Sequence, residues 1–133
     1  MTIEFYRLWS VVGVIMILAV CVGSLVPPPP YPTIEGSDKL VHLVSYGTLA
    51  YWWGMLRPQQ RHRWALSGMF VALGVALEFA QGATGYRTFD VFDMAANAVG
   101  VLCGRLAVET PLGGLLAAID RMVAALRARI NGG

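Results

Sequence analysis

Charge is scarce in this chain. Of its 133 residues, 14% are Asp, Glu, Lys or Arg, against about 25% in an ordinary soluble domain. With 56% hydrophobic residues, the chain cannot cover itself for water, which argues against a soluble globular domain. The same composition excludes intrinsic disorder. A net charge of +2 is too small to point to nucleic acid. Cysteine is scarce as well: Cys21 and Cys103 are the only two. Without a Cys-x-x-Cys pair or a Cys/His cluster there is no zinc or iron–sulfur framework, and no cofactor is expected.

What the chain does have is long apolar runs, and they predict an all-α polytopic membrane protein. Four transmembrane helices are expected over residues 8–26, 39–56, 64–81 and 91–108. The first has no charge and closes on Pro27. At about 1.5 Å per residue it nearly spans a hydrocarbon layer of about 30 Å. It is too long for a signal peptide and lacks an Ala-x-Ala cleavage site, and Val20 before Cys21 is a poor fit to a lipoprotein box. Pro27–Ser37 reads as a loop, with Ser37 or Asp38 capping the second helix. Residues 111–133 repeat apolar positions at helical spacing beside Arg121, Arg127 and Arg129. That pattern predicts an amphipathic helix on an anionic membrane surface, outside a transmembrane domain over residues 1–110. Short loops predict antiparallel sequential neighbours.

Orientation follows from the cations. Arg7, Arg57, Arg61, Arg63, Arg105, Arg121, Arg127 and Arg129 fall on one side of four spans, and Lys39 and Arg87 on the other. The positive-inside rule then puts both termini in the cytoplasm, with Trp9, Trp52, Trp53 and Trp64 at the cytoplasmic interface. Cys21 and Cys103 lie at different depths, so no disulfide joins them. The polar inventory is one-sided. Asp38, Lys39, His42, Tyr46, Glu78, Gln81, Arg87, Asp90, Asp93 and Asn97 fall in the outer half, and the inner half reads as hydrocarbon. Asp38, His42 and Tyr46 follow i, i+4, i+8; Glu78 and Gln81 are i, i+3; Asp90, Asp93 and Asn97 are i, i+3, i+7. Each set lines one helix face, and the three faces are expected to converge, because intramembrane polar groups turn to a bundle interior or a wet cavity.

These residues resemble the VanZ-like family of small bacterial membrane proteins, named after a teicoplanin-resistance protein. The matching elements are Ser24-Leu25-Val26-Pro27, Asp38-Lys39-x-x-His42-x-x-x-Tyr46, Glu78-x-x-Gln81 and Arg87-x-x-Asp90-x-x-Asp93-x-x-x-Asn97-x-x-Gly100. The resemblance covers about residues 8–108 and leaves out the C-terminal helix. It implies four membrane helices with these polar residues in one place, and a bacterial inner-membrane protein is expected; the family's link to glycopeptide resistance concerns one member. It names no reaction.

Three readings of the polar set stay open. It can be internal ion-pair glue. It can bind a polar or lipid-linked envelope ligand, with Lys39 and Arg87 holding anionic parts and His42, Glu78 and Asp93 holding donors. Or it can be a hydrolase or transferase site in which His42 and a carboxylate, Glu78 or Asp93, act as acid and base; no Ser or Cys nucleophile stands in a recognised pattern. Arg87 grips an anion or bridges to Asp90. Asp90, Asp93, Glu78 and His42 are a possible ligand set for Mg²⁺, Mn²⁺ or Zn²⁺, but without a His-Glu-x-x-His signature no metal is expected. Gly100-x-x-x-Gly104 predicts close helix packing inside the bundle rather than a dimer. The bilayer is the expected partner.

Overall fold

The computed structural model describes residues 3–27 and 36–132, and among them every regular element is helical. The helices are α1 (Tyr6–Leu25), α2 (Ser37–Met55), α3 (Gln60–Ala83), α4 (Val91–Ala107) and α5 (Leu115–Asn131), with a 3₁₀ turn (Pro111–Gly114) before α5. Most of the expected proline loop lies outside the described residues. Neither Ser37 nor Asp38 caps α2: the helix begins at Ser37, and the residue before it is Gly36, at φ 78°. A glycine takes that left-handed conformation without a Cβ clash. α3 begins at Gln60, so part of the expected polar turn is helical. Asp90 caps α4 as its carboxylate accepts from the Phe92 amide at 2.8 Å.

Of the four expected spans, α1 and α3 are long and apolar enough to cross a membrane. α4 and the segment from Pro111 to Asn131 pass only together, as a pair bent by 75°. Two helices therefore qualify by length and composition, or three with the bent pair. α4 alone has 17 residues, about 26 Å of helix. The opening of α2, with Ser37, Asp38, Lys39 and His42, dilutes its apolar run.

α2 packs most closely on α4, and α3 packs against both. The reason is steric. A Cβ on Gly100 would collide with the Leu43 carbonyl oxygen, and one on Gly104 with that of Gly47; a Cβ on Gly47 would lie 3.1 Å from the Gly100 oxygen. The expected close packing of the Gly100/Gly104 stripe is thus used within the bundle, backbone against backbone. Residues 43, 47 and 54 of α2 meet residues 100, 104 and 108 of α4 in ascending order, so the two helices run parallel. Tyr46, Leu49, Ala50, Phe70 and Val101 form the core beside this seam. α1 leans on α2 and α3, while Val11, Ile15, Leu18 and Val22 face outward.

α5 crosses the end of the bundle and is not free of it. Leu116 and Ala117 are buried, and the buried Asp120 accepts from the Glu4 amide (2.7 Å), the Phe5 amide (3.0 Å) and the Trp9 indole (2.7 Å). The carboxylate thereby satisfies free donors at the start of α1. Met122, Leu126 and Ile130 remain exposed. Cys21 and Cys103 are free thiols.

Gly100→Val should drive a side chain into the α2 backbone and destabilise the fold by about 1–3 kcal/mol or more. Gly68 has open space around it, so Gly68→Ala should be neutral or stabilising by up to about 1 kcal/mol. Thermal unfolding of detergent-solubilised protein compares them; equal melting temperatures would contradict the seam.

Candidate functional site

The parallel α2–α4 register sets the site. It places Lys39 and His42, one turn apart on α2, against Asp90, Asp93 and Asn97 on α4. Lys39 Nζ lies 2.8 Å from Asp90 Oδ2, 3.5 Å from Asp93 Oδ1 and 3.5 Å from Asp38 Oδ2. His42 Nδ1 is 3.0 Å from Asn97 Oδ1. An amide oxygen only accepts, so Nδ1 is the donor and carries the proton. His42 Nε2 faces Asp93 Oδ2 at 3.6 Å. α3 supplies Glu78, 1% exposed, whose Oε1 accepts from the Asp90 amide at 2.7 Å. Its Oε2 has no hydrogen-bond partner among the described residues, and neither has the buried Tyr46 hydroxyl. Asp38, Lys39, His42, Glu78, Asp90, Asp93 and Asn97 therefore come together, as the helix spacings predict.

Above them opens a cleft of about 930 Å³, walled by Ala19 and Val20 of α1 and lined by Asp38, Lys39, His42, Tyr46, Gln81, Arg87 and Asp93. Gln81 and Arg87 border it but are engaged elsewhere. Gln81 Nε2 donates to the Ser24 carbonyl at 2.9 Å. Arg87 donates to the carbonyls of Val26 (3.2 and 3.3 Å) and Gly23 (3.4 Å), and Tyr86 donates to that of Leu25. The alternative bridge from Arg87 to Asp90 is not formed among the described residues. The last carbonyls of α1 have no helical donor, and Gln81 at the end of α3 with Tyr86 and Arg87 of the α3–α4 turn supply donors to them. The cleft lining thus mixes carboxylates with the aspartate-paired Lys39 and the Tyr46 hydroxyl.

The opposite end is not plain hydrocarbon, contrary to the sequence reading. Arg105, 2% exposed, pairs with Glu109 one turn on, and Arg63 reaches the same carboxylate oxygen at 3.0 Å. The Arg105 guanidinium lies 4.9 Å from the Trp64 ring centre, and Trp52 donates to the Trp9 carbonyl at 3.0 Å. The Arg105/Glu109 spacing of i, i+4 was the available signal. Asp120 gave a weaker one, as an acid among arginines. Hydrogen bonds from Arg105 and then Arg63 hold the Glu109 carboxyl below its usual range. At Asp120, burial alone would raise the carboxyl, but the Trp9 indole and the Glu4 and Phe5 amides outweigh it and lower the group.

Asp90 gives the pH test. Its carboxyl is held below the ordinary range chiefly by the Lys39 hydrogen bond, with help from the Phe92 amide. A lowered carboxylate stabilises the fold above its unfolded pKa, about 4, and that stability is lost as pH falls through the lower folded value. Asp90→Asn should therefore lower the melting temperature at pH 7 and flatten its decline below pH 4; parallel curves would contradict the Lys39–Asp90 pair.

With the geometry established, comparison with known proteins adds one finding. No curated protein and no solved structure matches the chain. A family model described as VanZ/LLP1 matches residues 3–117, from before α1 into the first turn of α5. The match therefore reaches further at both ends than the motifs alone suggest, and takes in the turn that docks α5 on the bundle. Over that span the chain belongs to the VanZ/LLP1 family.

Proposed function

We propose that this is a multi-pass protein of the bacterial inner membrane whose cleft holds the polar head of a lipid-linked or extracellular envelope ligand. In this reading all four long helices cross, both termini are cytoplasmic and α5 lies along the inner surface. Support comes from the outward-facing aliphatic side chains of α1 and from the arginine- and tryptophan-bearing end opposite the cleft. α5 leaves α4 at a steep angle, as a surface helix would.

The observation that carries the ligand reading is the cleft itself: an apolar wall from α1 beside a polar lining in which the Asp93 carboxylate and the Tyr46 hydroxyl have unpartnered oxygens. A complementary head group brings donors, hydroxyls or an amine, while its hydrocarbon part follows Ala19 and Val20. Lys39 and Arg87 border the same cleft and remain the groups for any anionic part of the ligand, although both also hydrogen-bond within the fold. The glycopeptide-resistance link belongs to this reading, as a consequence of engaging an envelope component.

Native mass measurement of the purified protein should find a retained lipid with a hydroxyl- or amine-bearing head. Asp93→Asn and His42→Ala, kept folded by circular dichroism, should lose it. The same lipids on all three proteins would overturn the reading, and conversion of the bound lipid to a smaller product would favour an acid–base enzyme built on His42.

Topology is tested separately. In a Cys21→Ser, Cys103→Ser background, Ala83→Cys should react with a membrane-impermeant maleimide from outside the cell and Arg61→Cys only after lysis. The reverse pattern would put the cleft in the cytosol.

A further inference from the structure

We infer that His42, Glu78 and Asp93 form a binding site for one divalent cation of the zinc or manganese type at the floor of the cleft. This goes beyond the head-group reading and does not depend on it. Each residue offers one ligand atom, and these atoms lie within 4.8 Å of one another. Bonds of about 2.0–2.2 Å to imidazole nitrogen and carboxylate oxygen place opposite ligands about 4 Å apart, so small side-chain rotations close the set around an ion.

Three further observations point to a cation. First, the Asn97 oxygen accepts from His42 Nδ1 and so turns Nε2 toward Asp93, where the neutral imidazole presents its lone pair. Ligating histidines are oriented in this way, by a hydrogen bond from the other ring nitrogen. Second, Glu78 is 1% exposed and its Oε2 has no hydrogen-bond partner among the described residues. A buried carboxylate oxygen in that state calls for a proton donor or a positive charge. Third, in the neighbouring trio Asp38, Asp90 and Asp93 the Lys39 ammonium lies 2.8–3.5 Å from each, hydrogen-bonding Asp38 and Asp90 while Asp93 Oδ1 keeps only a charge contact with no hydrogen bond among the described residues. Lys39 contacts Asp93 through Oδ1, whereas His42 faces Oδ2. The charge supplied by Lys39 is thus on the Asp90 side of Asp93, and the His42–Glu78 side is not served by it.

The donor set narrows the ion. An imidazole beside two carboxylates suits Zn²⁺ or Mn²⁺ better than Ca²⁺, which takes six or more oxygens. Access is direct, because His42 and Asp93 line the cleft. An ion there would keep water or a ligand oxygen on its open side.

Tag-free protein in lipid nanodiscs, stripped with EDTA, is titrated with ZnCl₂ and with MnCl₂ by calorimetry. The His62→Ala background leaves His42 as the chain's only imidazole. Saturable binding near one ion per chain is expected, abolished by His42→Gln or Glu78→Gln and weakened about 10–100-fold by Asn97→Leu, which removes the orienting acceptor. Zinc-edge absorption should show one imidazole with oxygen donors. Failure to saturate with either ion, or binding unchanged in the variants, overturns the site. If no variant folds, the absorption spectrum decides: a zinc shell without an imidazole overturns the inference. The probe is the metal alone, so a negative result leaves the retained-lipid measurement to judge the head-group reading.

Discussion

The rest of the structure depends on how closely α2 and α4 approach. Gly47, Gly100 and Gly104 let two parallel helices meet through their carbonyl oxygens, with no side chain between them. Contact at that range fixes register as well as distance. With Leu43 against Gly100, Lys39 falls beside Asp90 and His42 beside Asp93 and Asn97. A slide of one helical turn, about 5.4 Å, would move Lys39 off its aspartates and leave buried carboxylates without positive charge. The packing stripe and the polar pairs therefore enforce one another. Where hydrocarbon surrounds helices, the hydrophobic effect supplies no force between them. Association must then come from such close packing and from polar contacts, and here both act along one seam.

Polar groups at the two ends of the bundle solve different problems. At the cleft end, the α3–α4 turn stitches down the end of α1, with Gln81, Tyr86 and Arg87 donating to carbonyls of residues 23–26. Those carbonyls are orphans of helix geometry, and away from water each would be costly if left alone. At the other end the start of α1 has the converse need, free amides, and Asp120 of α5 supplies the acceptor. α1 has few packing contacts of its own and is held at both tips. The family match ends at residue 117, in the first turn of α5 and one turn before the residue that anchors α1.

Much of this was legible in the sequence because polar residues are rare within its apolar helical runs and are therefore informative. Helical spacing alone brought Asp38, His42, Glu78, Asp93 and Asn97 to one place. What spacing could not reveal is which partner each residue takes. Arg87 stands just before a helix start, where an anion or Asp90 is the expected partner, yet it reaches across a 61-residue separation to Val26. The leading pair, α2 with α4, is also non-sequential, and short loops argue only for neighbours in sequence. Arg105, Glu109 and Asp120 were missed for a related reason. Charges near a helix end read as a solvated face unless the chain folds back over them, and only the 75° bend before α5 brings the chain back over the end of α1.

The acceptor character of the cleft is the last consequence of this arrangement. Two cations and four carboxylates stand near it in the sequence, a formal balance of −2. The fold pairs both cations at the edge of the cleft, Lys39 with aspartates on its own flank and Arg87 with carbonyls of α1. It also leaves Glu78, in the most buried position, with one oxygen unclaimed. A site built to seize a phosphate would keep a guanidinium free above the floor. Here both cations are tied into the fold, and the carboxylate oxygens of Asp93 and Glu78 are the charged atoms left without hydrogen bonds among the described residues.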